Sequence, residues 1–152
     1  MGAVNREGEI MRGTFGAETV RDGVLLVARI FLALLFVVFG WEKLTGFAGT
    51  VAYFSHGGVP LPFLAAVIAV VAEFFGGLAI AIGLFTRPVA LLLALYTLGT
   101  AILGHHFWNM SGAARMENEI NFLKNIGLIG GFLLLYLTGA GRYSVDDKIN
   151  VF

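Results

Sequence analysis

The sequence has no cysteine and little charge, and both shortages narrow what the chain can be. Without a thiolate it forms no disulfide, holds no iron–sulfur cluster and performs no thiol–disulfide exchange. Only 13% of its 152 residues are charged, against 58% that are hydrophobic, and a mean hydropathy of +0.85 is too apolar for a soluble domain of this size. Lys plus Arg equals Asp plus Glu at 10 each, so the chain has no basic footprint for nucleic acid. It also lacks a Gly-rich dinucleotide fingerprint after a strand, a P-loop and a nucleophile elbow. No cofactor is evident, and the chain alone has no means of holding flavin, nicotinamide or nucleotide.

What is present is hydrophobic, and it comes in four runs: residues 24–41, 61–85, 88–103 and 121–137. Each is long enough, or nearly so with its flanks, to cross a hydrocarbon core about 30 Å thick at 1.5 Å per residue. The expected fold class is all-α, an integral membrane bundle of four transmembrane helices over residues 24–143, with the lipid bilayer as its obligate environment. Residues 1–23 mix Arg6, Arg12 and Arg21 with Glu7, Glu9, Glu18 and Asp22; they read as a polar tail and not as a signal peptide. Residues 144–152 form a second tail. Pro88 falls in the first turn of the third span, where its missing N–H costs nothing, which makes GLFTRP the turn of a tight helical hairpin.

Outside the spans, Arg6, Arg12, Arg21, Arg87, Arg142 and Lys148 lie on one side and Lys43 and Arg115 on the other. That asymmetry predicts both termini in the cytoplasm of a bacterial cell, the protein residing in the cytoplasmic membrane. Glycines within the spans, Gly76, Gly77, Gly99, Gly127, Gly130 and Gly131, suit close helix packing.

One carboxylate interrupts the second span. Glu73 sits in VVAEFFGGLAI, where an ionisable group costs at least about 2.5 to 3.5 kcal/mol unless it is compensated. Arg29, in the first span, lies a vertical offset of roughly 8 Å from it by helical rise, which makes Arg29 and Glu73 candidates for a structural ion pair. The alternative is that Glu73 faces an internal cavity and handles protons or ligand. Glu117, Asn121, Lys124 and Asn125 share one face of the fourth span. His105, His106 and Trp108 close the third span on the same side; adjacent histidines diverge by about 100° on a helix and make a poor metal pair, so no metal site is assigned. Glu73, His105, His106, Trp108, Asn121 and Lys124 are the candidates for ligand binding or proton handling, and Arg87 with Arg142 would form a cytoplasmic collar.

GWEK (Gly40 to Lys43), AEFFGG (Ala72 to Gly77), GLFTRPVA (Gly83 to Ala90), FLKNIGLIGG (Phe122 to Gly131) and GAGRYSVD (Gly139 to Asp146) together resemble the DoxX family of small four-span membrane proteins. The resemblance runs from Leu25 to Asp146. It implies a four-helix bundle and an association with redox chemistry, since relatives include a subunit of a thiosulfate:quinone oxidoreductase. The polar set it carries over is Lys43, Glu73, Arg87, His105, Lys124 and Arg142, with no catalytic role assigned to any of them. Two readings follow. One is a redox-linked subunit that binds quinone or another lipid-soluble molecule in the bundle and works with a partner oxidoreductase, not catalytic alone. The other is a non-enzymatic scaffold or small-solute carrier in which Glu73 is structural. A ligand site between copies of a homo-oligomer is a further arrangement open to a bundle with so little internal volume.

Overall fold

The computed structural model describes the backbone of residues 6–151 and the side chains of residues 18–151. Its elements are α1 (Arg6–Thr45), α2 (Phe47–His56), α3 (Pro62–Val70), a π-helical segment (Val71–Gly76), α4 (Gly77–Ile82), α5 (Thr86–Gly104), a short 3-10 turn (Phe107–Asn109), α6 (Gly112–Thr138) and α7 (Val145–Lys148). The described residues contain no strand. Four helical stretches are long and apolar enough to cross a bilayer: Glu18–Thr45, Pro62–Ile82, Thr86–Asn109 and Gly112–Thr138. The protein is therefore an all-α integral membrane protein, and its second span is α3, the π segment and α4 run together.

The helices outrun the hydrophobic runs. α1 reaches back to Arg6 through the stretch read as a polar tail, and α6 begins at Gly112 instead of Asn121. Apolar content marks where a helix lies in lipid, whereas helix propensity and hydrogen bonding set where it ends, and Glu, Met, Arg and Ala extend a helix readily. The connection after the first span likewise holds a helix of its own, α2, joined edge-to-face to α3 through Phe47 and Phe63 with ring centroids 5.6 Å apart.

At the hairpin, α4 ends on Gly83, whose φ of 71° suits a residue without a Cβ. Gly83 N–H donates to Ile80 O at 3.1 Å and Leu84 N–H to Ala79 O at 2.8 Å, the paired bonds that satisfy the last carbonyls of a helix. The first amides of α5 are taken by a residue distant in sequence. Asp146 accepts from Phe85 N–H (2.7 Å) and Thr86 N–H (2.8 Å), and its own N–H donates to Gly83 O at 2.9 Å. Residues 139–148 thus form a strap beneath the hairpin, and we call this the strap end of the bundle and the opposite one the loop end.

Between the strap and the bundle centre lies a core of Ala33, Phe36, Ile80, Ala90, Leu93, Ala94, Phe132 and Leu135. Phe36 and Phe132 meet edge to face, centroids 5.2 Å apart, a geometry favoured by the ring quadrupoles. Small residues elsewhere in this core bring the backbones together. Gly77, where a Cβ would lie 3.0 Å from Phe36 Cβ, and Gly131, where it would lie 2.9 Å from Leu32 Cδ2, act this way, but Gly99, Gly127 and Gly130 face open space. Large apolar side chains such as Phe31, Leu92 and Leu134 are exposed on the outside, the surface that lipid covers.

Candidate functional site

Glu73 lies within the π-helical segment Val71–Gly76, roughly 14 Å along the helix from Ile82 and 17 Å from Pro62 by helical rise. It is buried, and both of its oxygens are engaged. Lys43 Nζ stands 2.6 Å from Oε2, and Tyr96 Oη donates to Oε1 at 2.6 Å. The widened turn re-aims the side chains around it, as π-turns do at many functional sites. Three spans therefore contribute one group each: α1 an ammonium, the second span a carboxylate, α5 a phenol.

The expected Arg29–Glu73 pair is not formed. The register between α1 and the second span is set by Gly77, against Phe36 and Val37, and by Gly40, where a Cβ would lie 2.7 Å from Phe74 Cα and 2.8 Å from the Glu73 carbonyl carbon. With Gly40 seated against Phe74, Lys43 is one turn away and its long stem reaches Glu73. Arg29 is 11 residues from Gly40 in the other direction, or about 16 Å down the helix. An 8 Å estimate built from span ends alone missed the sliding of one helix against the other.

Rings surround the triad. Trp41 lies 5.6 Å from Phe74, and Phe74 lies 5.2 Å from Phe75, centroid to centroid. Lys43 Nζ is 5.7 Å from the Phe39 ring centroid, within reach of a cation–π attraction. Trp41 and Phe75 are each 54% exposed, so the aromatic wall opens sideways toward lipid while the carboxylate stays inside. Lys43 itself keeps 24% of its side-chain surface, against 11% for Glu73. Chemically, this is a charge-compensated cluster with proton donors facing an apolar, laterally open surface.

The remaining candidates form a separate group between α5 and α6 at the loop end. His105 Nδ1 lies 3.2 Å from Asn118 Oδ1, and His106 Nδ1 lies 3.1 Å from Leu103 O. Trp108 packs against Phe107 and Phe122 at 5.5 and 6.1 Å. Lys124 is exposed and stands 3.5 Å from Asn121 Oδ1, while Asn125 donates to Thr100 Oγ1 at 3.4 Å. None of these bonds reaches Glu73. Among the described residues, no group of three or more His, Asp or Glu is arranged to hold a metal ion.

The strap end places the arginines. Arg29 is fully buried and donates from Nη1 to Ala140 O and from Nη2 to Tyr143 O, both at 2.6 Å. Arg87 donates from Nη1 to Tyr136 O at 3.2 Å, tying α5 to α6. Arg142 is exposed. Arg87 is therefore a helix-to-helix tie.

Tyr96 is the member of the site that sequence reading passed over. Its signal was available: a tyrosine in the middle of LLLALYTLGT stands far from either interface, and a phenol in hydrocarbon needs a partner. Lys43 carried a weaker signal, since GWEK at a span end reads equally well as an interfacial anchor.

Comparison with known proteins agrees with this architecture. The family model DoxX matches residues 24–106. The chain is 52% identical over 134 residues to "Inner membrane protein YphA" of Escherichia coli (strain K12), covering 88% of this chain and 94% of that protein. It is 47% identical over 133 residues to "Inner membrane protein YqjF" of the same organism, covering 88% and 97%. A shorter match, 39% identical over 77 residues and 51% of this chain, links it to 56% of "Putative oxidoreductase CatD" of Bacillus subtilis (strain 168). No solved structure matches the chain. With four apolar spans, a carboxylate clasped between them and this degree of likeness to two inner membrane proteins, the chain belongs to the DoxX family.

Proposed function

We propose that this protein is a redox-linked membrane subunit that binds a quinone, or another lipid-soluble molecule with a hydrogen-bonding head, beside Lys43, Glu73 and Tyr96, and works with a partner oxidoreductase. The observation that carries the reading is the Glu73 carboxylate held at 2.6 Å by both an ammonium and a phenol inside a π-helical turn. An intramembrane carboxylate is costly, and its usual return is a proton route or a ligand contact. Lys43 Nζ and Tyr96 Oη are donors suited to carbonyl oxygens, and Trp41, Phe74 and Phe75 supply a wall for a ring that arrives through the lipid.

Reducing a quinone to a quinol takes two electrons and two protons. The chain has no cysteine and no nucleotide motif, so the electrons come from the partner. Its own groups would orient the head and pass the two protons in turn through Lys43, reprotonated from water between them, while the Glu73 carboxylate holds that ammonium in place. The link to oxidoreductases is supported by the name of the Bacillus subtilis relative.

The test titrates purified protein in mild detergent with a short-chain ubiquinone, comparing wild type with Glu73→Gln. The expected result is a mutant that assembles normally and binds at least about tenfold more weakly, the loss of one charge-assisted contact. A well-assembled mutant that binds like wild type, or a wild type that binds no quinone, overturns the proposal and leaves Glu73 as internal architecture.

A further inference from the structure

The strap end contains a cleft that the Glu73 site does not use. Its volume is about 220 Å³, and it lies between the start of the first span and the strap, with Arg21 and Asp22 on one side and Arg142 and Asp147 on the other. Gly139, Ala140 and Gly141 of the strap also line it. Gly141, at φ 74°, presses close enough that a Cβ would lie 3.1 Å from Asp22 Oδ1. Asp22 is 7% exposed, a deeply set carboxylate. Asp146 also lines the cleft, but its two oxygens are committed to Phe85 and Thr86.

Depth identifies the layer in which this cleft sits. Asp22 precedes Arg29 by seven residues, about 10 Å of helix, and Arg29 lies against Gly83 just past the end of the second span at Ile82, so Asp22 stands just beyond the hydrocarbon. The cleft therefore opens among lipid headgroups. Its volume falls below the roughly 300 Å³ at which pockets begin to engulf a whole drug-sized molecule, so it has room for a headgroup and not for acyl chains. Those chains have a surface to lie on: Val24, Leu137 and Tyr143, each within two residues of a lining residue, are all exposed.

Charge selects among headgroups. A purely anionic one would meet Asp22 and Asp147, and a purely cationic ligand would meet Arg21 and Arg142. A molecule carrying phosphate and ammonium a short distance apart satisfies both. We infer that this cleft binds the headgroup of a zwitterionic phospholipid with a primary ammonium, the phosphate on Arg21 and the ammonium on Asp22 and Asp147. Guanidinium suits phosphate because its planar fork gives paired donors. A primary ammonium donates hydrogen bonds to carboxylates, and a trimethylated one does not.

The experiment reconstitutes the full chain in vesicles of equal parts phosphatidylethanolamine, phosphatidylglycerol and phosphatidylcholine, extracts it in mild detergent and measures the retained lipids by mass spectrometry. Phosphatidylethanolamine should be enriched about fivefold or more over each of the others. Asp22→Asn should return the retained lipids to the vesicle mixture. Because Asp22 is buried and its variant could fail to fold, the exposed Arg21→Gln is the second test, with the same loss expected and retention restored in Arg21→Lys. Glu73→Gln should keep the enrichment, which separates this cleft from the proposed quinone site. Equal or greater retention of phosphatidylglycerol overturns the inference in favour of simple attraction for anions. Enrichment of phosphatidylcholine, or enrichment unchanged in every strap-end variant, overturns it as well. Displacement of the lipid by soluble glycerophosphoethanolamine at comparable concentration would reassign the cleft to a water-soluble ligand.

Discussion

Arg29 and Glu73 are both buried charges in the membrane-spanning part of the chain, and the fold treats them in opposite ways. Arg29 is held by backbone: its guanidinium donates to the carbonyls of Ala140 and Tyr143. Glu73 is held by side chains, Lys43 and Tyr96. A carbonyl neither titrates nor changes rotamer, so the contact at Arg29 makes a fixed joint between α1 and the strap. An ammonium and a phenol can each turn toward another acceptor, which is what the proposed ligand contact at Glu73 requires. On the proposed reading, the difference separates a fixed joint from an exchangeable contact within a single small bundle.

The largest effect should come from breaking the joint. Arg29→Leu removes the guanidinium and strands the buried Ala140 carbonyl and the part-buried Tyr143 carbonyl, a buried one costing about 1–3 kcal/mol when unsatisfied, and it releases the strap whose Asp146 caps α5. Its denaturant midpoint in detergent should fall by the equivalent of about 4 kcal/mol, accompanied by poor yield. Glu73→Gln should lose clearly less, because the amide still accepts from Tyr96 and Lys43 can reach the surface. Equal losses for the two variants would erase the contrast.

The two regions also differ in how far they could be read from the sequence. Four spans, their all-α character and the isolation of Glu73 follow from composition and helical period, since lipid leaves the backbone few alternatives to helix. The partner of Glu73 did not follow. Which cation meets it depends on the sliding register of α1 against the second span, and that register is fixed by close approaches at two glycines, Gly40 on Phe74 and Gly77 on Phe36 and Val37. The role of Arg29 was hidden for another reason: its acceptors are backbone carbonyls, which carry no residue-type signal. A π-turn at VAEFFG likewise leaves no mark in hydrophobic periodicity over so few residues.

That dependence on register gives the next test. Gly40→Ala would push a methyl against the backbone at Glu73 and Phe74, which cannot move aside as a flexible side chain could. We expect a stability loss of about 2 kcal/mol from overpacking, together with weakened ubiquinone binding because Lys43 is carried away from Glu73. Gly127→Ala, at a position with nothing within 4 Å, should stay within about 0.5 kcal/mol of wild type. If Gly40→Ala weakened stability alone and left binding intact, the triad geometry would not be what the ligand reads.

The smallest change is the most discriminating. Tyr96→Phe deletes a single oxygen and leaves the ring packed, so the stability cost should be about 1 kcal/mol, the net worth of one hydrogen bond. A phenol that merely props the carboxylate would show that loss and nothing more. A phenol that turns to donate to a bound head would show roughly fivefold weaker ubiquinone binding as well. In a double-mutant cycle with Glu73→Gln the binding losses should then be less than additive, since both substitutions disable one shared contact. Additive losses would mean that Tyr96 and Glu73 act on the ligand independently, and the side-chain cluster would no longer be the exchangeable counterpart of the fixed joint at Arg29.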